Sequence, residues 1–265
     1  MEGAAVTAAA WDLASGVDVA FVGADGVEHC GPLARWWNES FELASPVRSF
    51  AAFKGQKNFT GEYWAATSRS RVGYESWVER DAAMALDFDP EVIALASQPF
   101  RLAWSDGDRD RRHTPDDFAR LVDGAGVVVD VRPEDLVDEA TAEVFAFTAR
   151  VCEAVGWQFR QVGDLGQPYR VNLRWMARYR HCRCHSEPVA ARLREVFVGP
   201  LPLFVGADLV GDRLAVLPVL YHLLWRHELA ADLTALPLGI GTLVGLTGRG
   251  VLMRPDQDPN QDSLF

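Results

Sequence analysis

Asp130 stands in Val127-Val128-Val129-Asp130-Val131, a run so dominated by valine that it reads as a central β-strand. Asp123-Gly124-Ala125-Gly126 supplies a turn before the run, and Pro133 stops it. A carboxylate in such a strand is costly unless it is paired or bound to a cation. Strand side chains alternate between faces, so Asp130 shares its face with Arg132. A preceding strand over His113–Val122 would carry Asp116 on the other arm of a hairpin, a near neighbour of Asp130 across the ladder. Two converging carboxylates repel, and a divalent cation resolves the repulsion. Mg2+ takes oxygen ligands, keeps several waters and can activate one of them against a phosphodiester. Glu79, on a neighbouring helix, is placed to supply a third carboxylate. The pattern alone also fits a strand ion pair between Asp130 and Arg132, with Asp116 capping a turn.

The surrounding pattern predicts an α/β fold with a mixed central sheet flanked by helices. Trp77, Ala82, Met84 and Leu86 mark a helix over Tyr74–Leu86, ended by Asp87-Phe88-Asp89-Pro90. Strands are predicted over Phe100–Trp104, His113–Val122 and Val127–Val131. A helix over Leu136–Val155 ends at Gly156, and a strand follows over Trp157–Val162. Residues 1–62 read as an N-terminal flanking segment with short strands, one over Val17–Val22. Residues 63–163 carry the acidic core. Residues 164–248 are mostly helical, over Arg170–His185, Pro188–Phe197 and Leu217–Arg226. With short strands over Leu214–Val216 and Thr242–Leu246, they suit a winged-helix-like domain. Residues 249–265 are rich in Asp, Pro and Gln and read as a disordered tail.

The 265 residues carry a net charge of -11, which argues against non-specific adhesion to nucleic acid unless basic groups cluster locally. They do so in one stretch, where Arg170, Arg174, Arg178, Arg180 and Arg183 lie close together, the first three at every fourth residue. That stripe fits phosphate contact or a solvated, salt-bridged face equally well. His181-Cys182-Arg183-Cys184-His185 invites a zinc reading, against the plainer reading of a helix end with buried thiols. Four scattered cysteines suit free thiols in a reducing compartment, and the expected location is cytoplasmic.

Six motifs occur in order: Gly73-Tyr74-Glu75-Ser76, Glu79-Arg80-Asp81, Asp87-Phe88-Asp89-Pro90, Gln98-Pro99-Phe100, Thr114-Pro115-Asp116 and Val129-Asp130-Val131-Arg132-Pro133. By them the chain resembles the TnsA-like transposon endonuclease subunits, well over about residues 48–165 and more loosely beyond. The resemblance implies a restriction-endonuclease-like nuclease domain and a C-terminal domain of winged-helix character. It implies a Mg2+-dependent DNA endonuclease, with Mn2+ as a substitute, cutting at transposon ends. It implies DNA, a transposase subunit and an AAA+ ATPase regulator as partners, and a homodimer is a further expectation. The family's metal-binding acids fall on Glu79, Asp116 and Asp130, and its catalytic lysine falls on Arg132. Glu75, Gln98 and His113 are placed to support these ligands or to touch substrate. Two positions depart from the family. Arg132 replaces lysine and stays protonated, so it cannot act as a base. Asp117 stands where an apolar residue is usual, and it reads as a substitute ligand or an outward-facing residue. Two other functions stay open: a catalytically impaired DNA-binding or assembly partner, and a stand-alone defence nuclease.

Overall fold

The computed structural model describes residues 8–50, 59–107 and 109–248. The predicted tail over 249–265 lies outside them. The chain divides into two compact units at Asp164/Leu165.

Unit 1 begins with helix α1 (Ala8–Ser15), strands β1 (Asp18–Val22) and β2 (Glu28–Pro32) and the single turn α2 (Leu33–Trp36). A hairpin, β3 (Gly61–Ala65) and β4 (Ser70–Tyr74), leads into helix α3 (Trp77–Phe88). Five strands follow: β5 (Val92–Ser97), β6 (Phe100–Ser105), β7 (Asp110–His113), β8 (Asp117–Leu121) and β9 (Gly126–Val131). Helix α4 (Glu139–Ala154) and strand β10 (Gln158–Val162) complete the unit.

The sequence pattern counted three strands between the two helices where the structure has five. The stretch His113–Val122 is broken, with β7 ending at His113 and β8 starting at Asp117. Pro115 lies between the two strands and has no N–H to give a ladder. The two strands then join different sheets. One sheet has the order β2-β1-β6-β7 and is antiparallel. The other has the order β10-β9-β8-β5 and is mixed, with only the β10–β9 pair parallel. Within the predicted N-terminal flank, β1 and β2 are therefore members of a unit 1 sheet, because β1 sits between β2 and β6.

The core between the sheets is aromatic. Phe41 lies 4.7 Å from Phe100, 5.8 Å from Phe118 and 5.6 Å from Trp157, all edge-to-face. Val128, Val151 and Cys152 pack into the same cluster, so α4 covers the face of β8 and β9 that carries Phe118 and Val128. Gly126 opens β9 because an added Cβ would lie 2.7 Å from the Phe118 ring. The preceding turn uses Gly124 at φ +89°, a conformation glycine adopts without strain.

Helix α3 is fixed at both ends. Ser76 caps its start, accepting from the Glu79 N–H, and Asp89 leaves it in extended conformation before Pro90. Asp87, buried in its last turn, accepts from Tyr63 Oη at 2.7 Å, Ala66 N at 3.0 Å and Thr67 N at 2.8 Å. One carboxylate thus ties the β3–β4 turn to the helix.

Unit 2 contains α5 (Tyr169–Met176), α6 (Glu187–Val196), β11 (Leu201–Pro202), α7 (Leu203–Val210), α8 (Arg213–Trp225), β12 (Leu229–Ala231) and β13 (Leu243–Leu246). The strands form a sheet of order β11-β13-β12. The strand expected over Leu214–Val216 is the first turn of α8, which Asp212 caps by accepting from the Leu214 N–H. A short all-apolar run has no period of its own, and the cap decides for helix. The helix expected over Arg170–His185 stops at Met176 and continues as two 3-10 turns, Ala177–Tyr179 and Cys182–Cys184. Buried Asn172 donates to the carbonyls of Leu233 and Leu236 and accepts from Leu238 N. It pins the long β12–β13 connection onto α5. No helix among the described residues is long and apolar enough to cross a membrane.

Candidate active site

The β8–β9 register pairs Asp117 with Val129 and Phe118 with Val128. Continuing it by one residue sets Asp116 opposite Asp130 at the end of the ladder. Alternation puts both on the face of Phe118 and Val128, where the aromatic core gives way to an open cavity. That cavity, about 510 Å3, is lined by Glu75 and Glu79 at the start of α3, His113 on β7, Asp116, Asp130 and Arg132. It gathers six of the seven predicted site residues of unit 1. Gln98 lies beside it, fully buried at φ +45°, and takes a different part. Its N–H donates to the Asp116 carbonyl at 2.8 Å, and its Oε1 accepts from Arg48 Nε at 2.9 Å.

Each acid is held differently. Asp116 Oδ2 accepts from Val131 N at 2.7 Å, a bond across the ladder. Burial pushes its carboxyl up to about 7; the charges of Asp130 and Glu79 push the same way, against the Val131 N–H and His113. Asp130 is buried and hydrogen-bonded, its Oδ2 lying 2.8 Å from His113 Nε2. Glu79 is occupied by its own helix. Its Oε1 accepts from Ser76 Oγ at 2.9 Å and its Oε2 from Glu75 N at 2.6 Å. With Glu79 N donating to Ser76 Oγ, this is a reciprocal N-terminal cap of the S-x-x-E type. Burial raises the Glu79 carboxyl, and those hydrogen bonds oppose the rise. Ser76→Ala is expected to destabilise unit 1 by about 1 kcal/mol and to release Glu79. Equilibrium urea unfolding measures this, and an unchanged midpoint would show that the cap carries no weight.

The cations at the cavity are also distinguishable. Arg48 donates to Glu75 Oε2 at 2.7 Å, and Arg111 pairs with Asp106 at 2.8 Å and Glu143 at 3.2 Å. Arg132 is exposed and donates to Thr141 Oγ1 at 2.8 Å, so the ion pair with Asp130 offered by the sequence pattern does not form. Arg112 is exposed on β7. Sequence reasoning missed Arg48, Arg111 and Arg112. Arg111 and Arg112 immediately precede the predicted His113, whereas nothing in the sequence ties Arg48 to the site.

Asp117 points to the face opposite Asp116. It is not a surface residue. Its side chain is 2% exposed, and Oδ1 has no hydrogen-bond partner among the described residues. Burial raises its carboxyl well above the usual range, and Asp116, Glu79 and Asp130 add to the rise.

Among the described residues, no three His, Cys, Asp or Glu side chains converge into a ready-made cation site. The donor chemistry nonetheless fits a hard divalent cation. Asp116 and Asp130 are oxygen donors placed opposite each other, and the charges of Asp130 and Glu79 add to the burial that raises Asp116.

In unit 2, Arg170 and Arg174 lie on α5, while Arg178, Arg180 and Arg183 lie beyond its end, so the stripe does not run as one helical face. The Arg178 guanidinium lies over the Trp175 ring at 5.1 Å. Arg180 donates to the Ala177 carbonyl. In the His181–His185 segment, His181 Nδ1 accepts from Arg183 N at 3.0 Å, and His185 pairs with Glu187 at 3.0 Å. Both histidines thus have local structural work.

The chain matches no protein-family model and no curated protein sequence.

Proposed function

We propose that unit 1 is a divalent-cation-dependent DNA endonuclease of the restriction-endonuclease-like type. The observation that carries this reading is the placement of Asp116 opposite Asp130 at the end of the β8–β9 ladder, in one cavity with Glu79. The helix, mixed sheet and helix around that ladder support the fold assignment. Asp116 and Asp130 would hold Mg2+ or Mn2+, with Glu79 adding a ligand if its cap yields. The bound ion would polarise a phosphodiester oxygen and lower the pKa of a bound water. His113 orients Asp130 through their hydrogen bond. Arg132 supplies fixed positive charge toward the developing phosphorane and cannot take a proton.

Unit 2 supports a winged-helix reading through its order, α6-β11-α7-α8-β12-β13, with a long connection between the last two strands. We assign it to DNA and partner contact, with Arg170, Arg174, Arg178, Arg180 and Arg183 as phosphate-contact residues. The partners that fit this reading are a transposase subunit and an AAA+ ATPase.

A second reading has a specific observation behind it. Glu79 is committed to its cap and Arg132 to Thr141, as in a nuclease fold kept for binding and assembly. One experiment separates the two. Supercoiled plasmid is incubated with the protein and Mg2+ or Mn2+, with and without a transposase and an ATPase. The nuclease reading expects nicking that a chelator abolishes. No nicking in any mixture, with no Mn2+ heat by calorimetry, would leave the binding reading.

A further inference from the structure

The cavity presents a problem for any polyanionic substrate. Glu75, Glu79, Asp116, Asp130 and Asp138 all line it, in a chain of net charge -11. A bound divalent ion offsets part of that charge, but a DNA strand must still approach. Arg48 and Arg111 are already paired with carboxylates, and Arg132 is tied to Thr141. Arg112 differs from all three. It borders the same cavity from the outer, exposed face of β7, next to inward-facing His113, and its side chain has neither an ion pair nor a hydrogen bond among the described residues.

Its mounting is favourable. β7 is the edge strand of its sheet and is paired with β6 through Ala103 opposite Arg112 and Leu102 opposite His113. The next residue, His113, is hydrogen-bonded to Asp130. The backbone that carries Arg112 is therefore fixed to the acidic pair by one short covalent and hydrogen-bonded path. A guanidinium presents a planar fork that matches two phosphate oxygens. Resting on the nuclease reading, we propose that Arg112 is a phosphate anchor. It would grip a phosphate of the strand whose scissile phosphodiester lies against Asp116 and Asp130.

An edge strand also carries charge simply to discourage strand pairing, and the test must tell these apart. Binding of a short fluorescent duplex is followed by anisotropy across a salt series, in chelator and again with Ca2+. The wild type, Arg112→Ala, Arg112→Lys and Arg71→Ala are compared. Arg71 is an exposed control in β4, paired with Glu62 and outside the cavity. Arg112→Ala is expected to weaken binding about tenfold and to lower the slope of log K against log salt by about 0.9, the value for one lost phosphate contact. Arg112→Lys should keep the slope, and Arg71→Ala should leave it unchanged. The proposal is overturned if Arg112→Ala keeps the wild-type slope, if Arg71→Ala lowers it equally, or if Arg112→Lys loses as much as Arg112→Ala. It also fails if the wild type does not bind the duplex. A chain that binds with the expected slopes but never cuts overturns the nuclease reading and leaves the anchor standing. A chain that cuts while Arg112→Ala binds normally does the reverse.

Discussion

On the proposed nuclease reading, Asp116→Asn is expected to lower DNA cleavage by about 1000-fold or more while the fold is kept and stabilised. About 4 kcal/mol of transition-state stabilisation corresponds to that factor. The asparagine retains an oxygen that can accept from Val131 N, so the bond across the ladder survives. What it removes is the charge that faces Asp130, and with it the electrostatic attraction for a divalent cation. Removing a charge from this buried place also predicts the stability change. Burial holds the Asp116 carboxyl at about 7 in the folded chain, against about 3.8 for the free side chain. A raised folded pKa contributes stability that is fully present below the unfolded value and is lost as pH rises through the folded value. Wild-type stability should therefore decline from about pH 4 to above pH 7, and Asp116→Asn should flatten that decline. Plasmid nicking gives the first result and thermal unfolding between pH 4 and pH 8 gives the second. A variant that still cuts at the wild-type rate removes Asp116 from the chemistry.

The sequence disclosed the acidic pair because strands have a fixed period and the hairpin turn a strong signal. Asp123-Gly124 centres the turn, and the register then follows by counting outward. It disclosed less about Glu79. The residues Ser76-Trp77-Val78-Glu79 spell a capping box, and that local signal explains both carboxylate oxygens without a metal. The resemblance pointed to chemistry at Glu79 and the cap points to structure. Arg48 was illegible because a partner fifty residues away, Gln98, fixes it by tertiary contact. The place of β1 was hidden for the same reason, since its partner β6 lies far along the chain. In unit 2 the apolar stretch Leu214–Val216 misled because three residues are too few to show a period and only Val216 is buried, whereas the Asp212 cap just before it was readable.

Asp117→Val is expected to raise the stability of unit 1 by about 1–3 kcal/mol, the usual cost of a buried polar group without a partner. The substitution suits its place. Asp117 sits in a strand, opposite Val129 on one side and Ser97 on the other, and valine is compact and prefers strands. Asp117→Asn is the informative companion. Its amide stays polar and buried, so it resembles the protonated acid and should change little near pH 4. At pH 8 the wild-type side chain must either ionise among Asp116, Glu79 and Asp130 or hold a proton against solution, and both cost free energy. Asparagine escapes that cost, so its advantage over wild type should grow with pH. Valine should lead at both ends of the range. Thermal and urea unfolding of the three chains at pH 4, 6 and 8 check this ordering. A wild type more stable than Asp117→Val at every pH would mean that Asp117 has a partner in solution, and the cost assigned to its burial would be wrong. If the ordering holds, the chain keeps a destabilising acid one residue from Asp116. On the proposed nuclease reading, a residue that weakens the fold beside Asp116 is what a trade of stability for activity predicts, and the cleavage rate of Asp117→Val then measures the activity side of that trade.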